Sequence, residues 1–416
     1  MLDVVLDLCC GLDVHKKSVT ACLLRTGASG RVVKELRAFG TMTSDLKKLA
    51  KWLQDTGCEH VAMESTGVYW RPVFNLLEET CEEVLLVNAQ HIKHVPGRKT
   101  DMKDAEWIAT CLRLGLLRGS FIPPPEIREL RQLTRYRSTL VRQRADECNR
   151  LQKLLEVGNI KLASVATDIL GRSGWDMLTA LSRGEDDPEK LADLARGKLR
   201  AKIPQLEAAL EGQLSQTQRW LIRRQLEHVA HLDEMITQLD DKIEELCRPF
   251  VEVMQRLDAI PGVNQRIAQI IVAEIGLDMS RFPTAAHLAS WAGMCPGNEE
   301  SAGKRKTGKT RKGSRWLRSA LVEAGWAAAH ATKNKSYLTA QYHRLARRRG
   351  KKKACVAVGH SILVRAHFVL AIPAEYVDLG YDYFERHKEA DLKQQLVQRL
   401  ERLGYQVTLS EKTTAA

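Results

Sequence analysis

The chain has 416 residues, 44% hydrophobic and 28% charged, with a net charge of +13. That length suits two or three domains with cores of their own, and the composition is that of an ordinary globular protein. No run approaches 18 apolar residues and no signal-peptide pattern opens the chain, so the reading is a cytoplasmic protein without a membrane partner.

In chain order, "DVVLDLCCGLDVH" and "SVTACLLRT" are β-rich, and the intervening "HKKS" predicts a hairpin. "TSDLKKLAKWLQDTG" has a Ser or Thr cap, apolar residues at helical spacing and a terminal Gly. "HVAMES" reads as a strand that ends at Glu64, "RPVFNLLEET" as a helix and "EEVLLVN" as a strand. "TDMKDAEWIATCLRLGLL" follows as a helix capped by Thr100. This order predicts an α/β mixed sheet with helices packed on it. "FIPPPE" ends it, setting a first domain at 1–125.

From Ile127 the pattern is helical. Ile127, Leu130, Leu133, Leu140, Ala145, Cys148, Leu151 and Leu155 approximate one stripe. Val229, Leu232, Ile236, Leu239, Ile243 and Leu246 step by 3, 4, 3, 4, 3, a coiled-coil seam. Residues 126–250 thus predict a long antiparallel helical arm, pairing within the chain or between chains, with a looser helical insert at 160–205. A helical domain at 251–372 opens with "DAIPGVNQRIAQIIVAEIG". That stretch fits either half of a helix-hairpin-helix phosphate element or an ordinary helical hairpin. "CPGNEESAGKRKTGKTRKGS" reads as a Gly- and Lys-rich loop, and 373–416 as a peripheral tail.

The charge is regional. Residues 301–353 hold 17 Lys and Arg against one acid, Glu323, a balance of +16; the other 363 residues sum to −3. One sign concentrated over fifty residues points to a polyanion such as nucleic acid. The ten cysteines show no zinc-ligand spacing and read as reduced core thiols.

Four acids occupy positions an α/β sheet can bring together. Asp13 follows a strand, Glu64 ends one, and Asp101 and Asp104 share a face at the start of a helix. Each alone is an ordinary cap or turn residue. Together they would repel unless a divalent cation intervened, and Mg²⁺ prefers such oxygen ligands. Two ions about 4 Å apart would stabilise the entering and leaving oxygens of a phosphoryl transfer.

"GLDVHKKSV", "MESTGVYWRPVFNLLE", "HVPGRKTDMKDAEWIA" and "GNEESAGKRKTGKTRKGSRWLR" together resemble the insertion-sequence-one-ten family of transposases, over residues 8–155 and 255–372. The resemblance implies a RuvC-like, RNase H-fold DEDD domain with Asp13, Glu64, Asp101 and Asp104 as Mg²⁺ ligands. It further implies a C-terminal transposase domain with Ser301 as nucleophile, and a structured bridge RNA that pairs with donor and target DNA. Taken alone, Ser301 is a loop serine. Lys304, Arg305, Lys306, Lys309, Arg311, Lys312, Arg315 and Arg318 follow it closely, as cations to neutralise phosphate. The expected protein is a DNA transposase or recombinase, acting as a dimer or tetramer. A RuvC-type metal-dependent junction nuclease using water, and a non-catalytic nucleic-acid-binding protein, are the alternatives.

Overall fold

The computed structural model describes residues 4–27, 29–64, 67–88, 104–297, 299–301, 304–372, 375–387 and 389–409. The chain divides into two compact units, Met1–Ile122 and Pro123–Ala416.

The first unit is built on five strands: β1 (Leu8–Val14), β2 (Ser18–Thr26), β3 (Val32–Gly40), β4 (His60–Glu64) and β5 (Glu83–Val87), in the spatial order β3-β2-β1-β4-β5. β1, β2 and β3 form an antiparallel meander, while β4 and β5 join parallel to β1. Alternation along the strands gives the sheet two apolar faces. Cys10, Leu12, Leu23, Val61 and Met63 meet helices α1 (Thr43–Asp55) and α2 (Trp70–Leu77). Cys9, Cys22, Leu24 and Ala62 meet α3 (Asp104–Arg113) through Ala105, Ile108, Ala109 and Leu112, spaced for one helical face.

Three expectations change here. β3 escaped the sequence reading because it is an edge strand with Val32, Val33 and Leu36 exposed, and so shows no buried face. α1 begins after Met42, which offers no side-chain cap; Thr43 and Ser44 lie inside its first turn. α3 is described from Asp104 to Arg113, and its expected cap Thr100 lies outside the described residues.

In the second unit, Pro124 and Pro125 set the start of α4 (Pro125–Val157), as proline does at the first helical turn. Four short helices follow, α5 (Leu162–Val165), α6 (Arg172–Arg183), α7 (Pro188–Asp193) and α8 (Ile203–Leu210). The chain returns through α9 (Gln216–Cys247), whose start is fixed by a Ser215–Gln218 capping box. The ion pairs Arg137–Asp240 and Arg144–Asp233 move seven residues forward along α4 and seven back along α9, so the two helices run antiparallel. The α9 seam therefore pairs within the chain, with Val229, Leu232 and Ile243 buried and Ile236, Leu239 and Leu246 half-buried. Its α4 partner is less apolar than expected: Ala145 is exposed, while Glu147 is buried and bonded to His228 at 3.0 Å. The insert's Leu162, Ile169, Met177 and Leu181, with Leu206 just after it, share a core with Leu151, Leu155, Ile222 and Leu226 of the long helices.

The remainder comprises α10 (Val251–Asp258), α11 (Gln265–Ile275), α12 (Ala285–Trp291), a ribbon of β6 (Glu299–Ser301) and β7 (Lys304–Thr307), α13 (Arg315–Ala329), α14 (Tyr337–Arg349), α15 (Lys351–Ala371), α16 (Tyr383–Arg386) and α17 (Glu389–Arg402). α13 and α15 pack closely because Gly325 faces Cys355 and Gly359 faces Leu321; a Cβ on Gly359 would stand 2.7 Å from the Leu321 carbonyl. α15 corrects the hydropathy reading. It is long and apolar enough to cross a membrane by length and composition, yet Ala354, Val358, Ile362, Leu363 and Ala366 are buried in this unit's core. The tail also has an attachment: Phe384 stacks on Tyr337 of α14 and Tyr383 meets the same ring edge-on, each with ring centroids 5.1 Å apart, and Arg344 lies over Phe384.

Candidate functional site

Two of the four acids, Asp13 and Glu64, lie at one end of the sheet. β1 and β4 pair Cys10 with Val61, Gly11 with Ala62 and Leu12 with Met63. One residue further, the same register sets Asp13 beside Glu64 at the C-terminal ends of two parallel strands. Alternation turns both toward the face that α3 covers, since Cys9 and Ala62 already lie there. Asp104 is the first residue of α3. The helix can lie this close only because of Gly11, where a Cβ would stand 2.3 Å from the Ala105 carbonyl and the Ala109 nitrogen. Asp101 lies outside the described residues.

Sequence reasoning missed His15. Its Nε2 stands 3.1 Å from Asp13 Oδ2, just past the end of β1 at Val14. That spacing was visible in "LDVH". Among the described residues, no three Asp, Glu, His or Cys side chains stand together closely enough to hold a metal ion. The donor chemistry suits Mg²⁺ all the same: Asp13, Glu64 and Asp104 offer only hard oxygens.

Ser301 belongs to the second unit. It ends β6, and the antiparallel register sets it opposite Lys304 at the start of β7. The expected loop is thus a two-stranded ribbon. Its base is clamped by Gly293 (φ +67°) against Gly313 and by the Gly297 N–H donating to the Lys309 carbonyl at 2.8 Å. The chain then enters α13 through Ser314, which accepts from the Leu317 N–H and donates to Glu274 Oε2 at 2.8 Å. Glu274 is 1% exposed and is also gripped by Arg135 Nε and Nη2 at 2.6 and 2.8 Å. One buried carboxylate thereby ties α4, α11 and the ribbon's exit together. Beyond the ribbon, Arg311, Lys312 and Arg315 are exposed and Arg318 is half-buried. Arg315 lies over the Trp316 ring at 4.5 Å.

The Pro261–Gly262 turn follows α10 and leads to Asn264, which caps α11 by accepting from the Ile267 N–H at 3.0 Å. Gly262 (φ +88°) faces α13, where a Cβ would stand 2.2 Å from the Ala324 carbonyl. Its glycine serves helix packing, as in an ordinary helical hairpin. The thiols have no site role in view: all ten are free, and burial pushes Cys9, Cys22 and Cys111 up to about 11.

Asp13 and Glu64 thus lie at the ends of the neighbouring interior strands β1 and β4, a basic ribbon follows in the second unit, and comparison with known proteins gives the class. A transposase family model of the DEDD IS110 type matches residues 10–159, and that of the IS116/IS110/IS902 transposase family matches residues 254–343. The chain belongs to the IS110 family of transposases. It is 28% identical to an uncharacterised protein of insertion element IS116 from Streptomyces clavuligerus, over 56% of this chain and 65% of that protein. It is 24% identical to a putative transposase of Sinorhizobium fredii over 88% of both chains. A pilin gene-inverting protein of Moraxella bovis is 36% identical over 18% of this chain and 24% of its own length.

Proposed function

We propose that the protein recombines DNA through a covalent serine intermediate. Residues 1–125 would form an RNase H-like catalytic domain, 126–250 an arm, 251–372 the transposase domain and 373–416 a tail. Asp13, Glu64 and Asp104, with Asp101, would hold Mg²⁺, which when bound stabilises charge on the oxygens of the scissile phosphate. The Ser301 hydroxyl attacks phosphorus, loses its proton to solvent or a nearby base, and expels one deoxyribose oxygen as a free hydroxyl. A hydroxyl at another DNA end later attacks the phosphoserine, re-forming a phosphodiester and freeing Ser301. No energy cofactor is consumed. Lys304, Arg305, Lys306, Lys309, Arg311, Lys312, Arg315 and Arg318 would neutralise the backbone.

The metal half of this reading is carried by the placement of Asp13 and Glu64 at adjacent parallel strand ends, facing the helix that Asp104 opens, and the serine half by the family resemblance around Ser301. The strand order β3-β2-β1-β4-β5 supports the RNase H-like assignment. The family resemblance supports a bridge RNA, and the need to handle two duplexes supports a dimer or tetramer. The test is a denaturing gel. Wild type with Mg²⁺ and element-end DNA, with its bridge RNA, should yield a protein–DNA adduct that survives SDS. Ser301→Ala should bind DNA and give neither adduct nor recombinant. Cutting by Ser301→Ala at the wild-type rate would make the protein a hydrolytic nuclease of RuvC type instead.

A further inference from the structure

A cleft of about 1210 Å³ lies within the second unit, between the foot of the ribbon and the α14–α15 junction. Its cations come from three places: Lys309 after the ribbon, Arg318 on α13, and Arg349, Lys352 and Lys353 around the turn into α15. Among the described residues, no carboxylate lines it. Its wall is of another kind, formed by Met294, Pro296, Val356 and Ala357. Gln341 also lines it, donating through Nε2 to Ser361 Oγ at 2.9 Å while its buried Oε1 accepts no hydrogen bond. His360 completes the lining, and burial holds its imidazole below the usual range, so it is neutral at neutral pH.

Arg318, Arg349, Lys352 and Lys353 set like charges around one cavity, and an anion relieves their mutual repulsion. The volume exceeds what a drug-sized molecule needs, so the anion is extended. A duplex keeps its base faces stacked inside and offers a surface its phosphates, sugars and groove edges, so it cannot lay a base against an apolar wall inside a cavity. An unpaired strand offers both sugar-base faces and phosphates. We propose that this cleft seats a single-stranded stretch of nucleic acid, with phosphates at the Lys–Arg rim, sugars and bases on the Met294–Val356 wall, and Gln341 at a base edge. The proposal rests on the nucleic-acid reading of this unit but not on the serine chemistry.

The test measures fluorescence anisotropy of the full chain, without Mg²⁺, against oligo(dT), oligo(U) and a DNA hairpin duplex of equal charge. Arg349→Ala/Lys352→Ala/Lys353→Ala removes three exposed cations. It should weaken single-strand binding at least tenfold and reduce its log-log salt slope by about 2, with a much smaller effect on the duplex. Val356→Trp fills the cleft and leaves the charge unchanged; with an unaltered melting temperature it should weaken the same single strand and spare the duplex. Whichever of oligo(dT) and oligo(U) responds more identifies the strand as DNA or RNA. Equal losses on single strand and duplex, or no loss in Val356→Trp, would overturn the cleft and leave a general basic surface. Ser301→Ala should bind all three probes as wild type does, so a failure of the serine mechanism and a failure of the cleft are read separately.

Discussion

Gly11→Ala tests how α3 is seated on the sheet beside the proposed acid site. β1 cannot yield, because it is hydrogen-bonded to β2 on one side and β4 on the other. The new methyl would stand 2.3 Å from the backbone of Ala105 and Ala109, whereas ordinary contact begins at 3.4 Å, so α3 must retreat by about 1 Å. Overpacking of this kind costs about 1–3 kcal/mol, and here the obstruction is backbone, which favours the upper end. Removing a strand-interior glycine returns about 0.5–1 kcal/mol. The net expectation is a loss of about 2 kcal/mol in urea unfolding of the full chain. Catalysis should suffer more than stability, since the retreat carries Asp104 away from Asp13 and Glu64, and a misplacement of about 1 Å can cost about 100-fold. The paired assays are the urea midpoint and the Mg²⁺-dependent cleavage rate under conditions where the variant remains folded. Wild-type cleavage together with an unchanged midpoint would refute the claim that Gly11 sets the height of α3.

Glu64→Ala and Asp101→Ala should each abolish DNA cleavage while leaving the fold and nucleic-acid binding intact; strong cleavage in EDTA would contradict the metal role. Glu274→Ala strands Arg135 and frees Ser314, and should cost about 3 kcal/mol, the low end for a broken buried pair because the Arg135 side chain is 33% exposed. A urea shift below about 0.5 kcal/mol would show that the clasp is not structural. Burial pushes Cys247 and Cys355 up to about 11 and Cys58 to about 12, so at pH 8 well under about one in a hundred of these thiols is thiolate. Ellman's reagent should therefore find only Cys81, Cys148 and Cys295 before unfolding and all ten afterwards; rapid reaction of the buried seven would refute the packing.

What could be read from the sequence was whatever writes an apolar period. β1, β2 and β4 did so as short apolar runs buried on both faces, and α1 and the long helices by burying one defined face. β3 did not, since it joins the sheet through backbone hydrogen bonds while its side chains stay exposed. The contacts joining α4 to α9 were half hidden for a related reason: Arg137, Arg144 and Glu147 look like solvent-facing charges until Asp240, Asp233 and His228 are set opposite them. For the proposed acid site, residue types and order pointed to Asp13, Glu64, Asp101 and Asp104, but the role of Gly11 depends on a backbone 94 residues away. The basic cleft was illegible as a cleft. Its cations all belong to the +16 segment, yet only the turn at Gly350 brings Lys352 and Lys353 round to Lys309.

The helical cap on the arm has a consequence for how such chains can vary. The chain leaves α4 at Gly158 and comes back beside it, with the Gln213 N–H donating to the Gly158 carbonyl at 3.0 Å and the Lys161 N–H to Ala209 at 2.7 Å. Exit and return share one doorway. The turns between the cap's helices can therefore be lengthened or shortened without shifting the register of Arg137 on Asp240 or Arg144 on Asp233. The cap itself is the lid on that end of the helix pair, because Leu151, Leu155, Ile222 and Leu226 share its core, so a foreign domain grafted at the doorway keeps the pairing when it brings an apolar face to cover them.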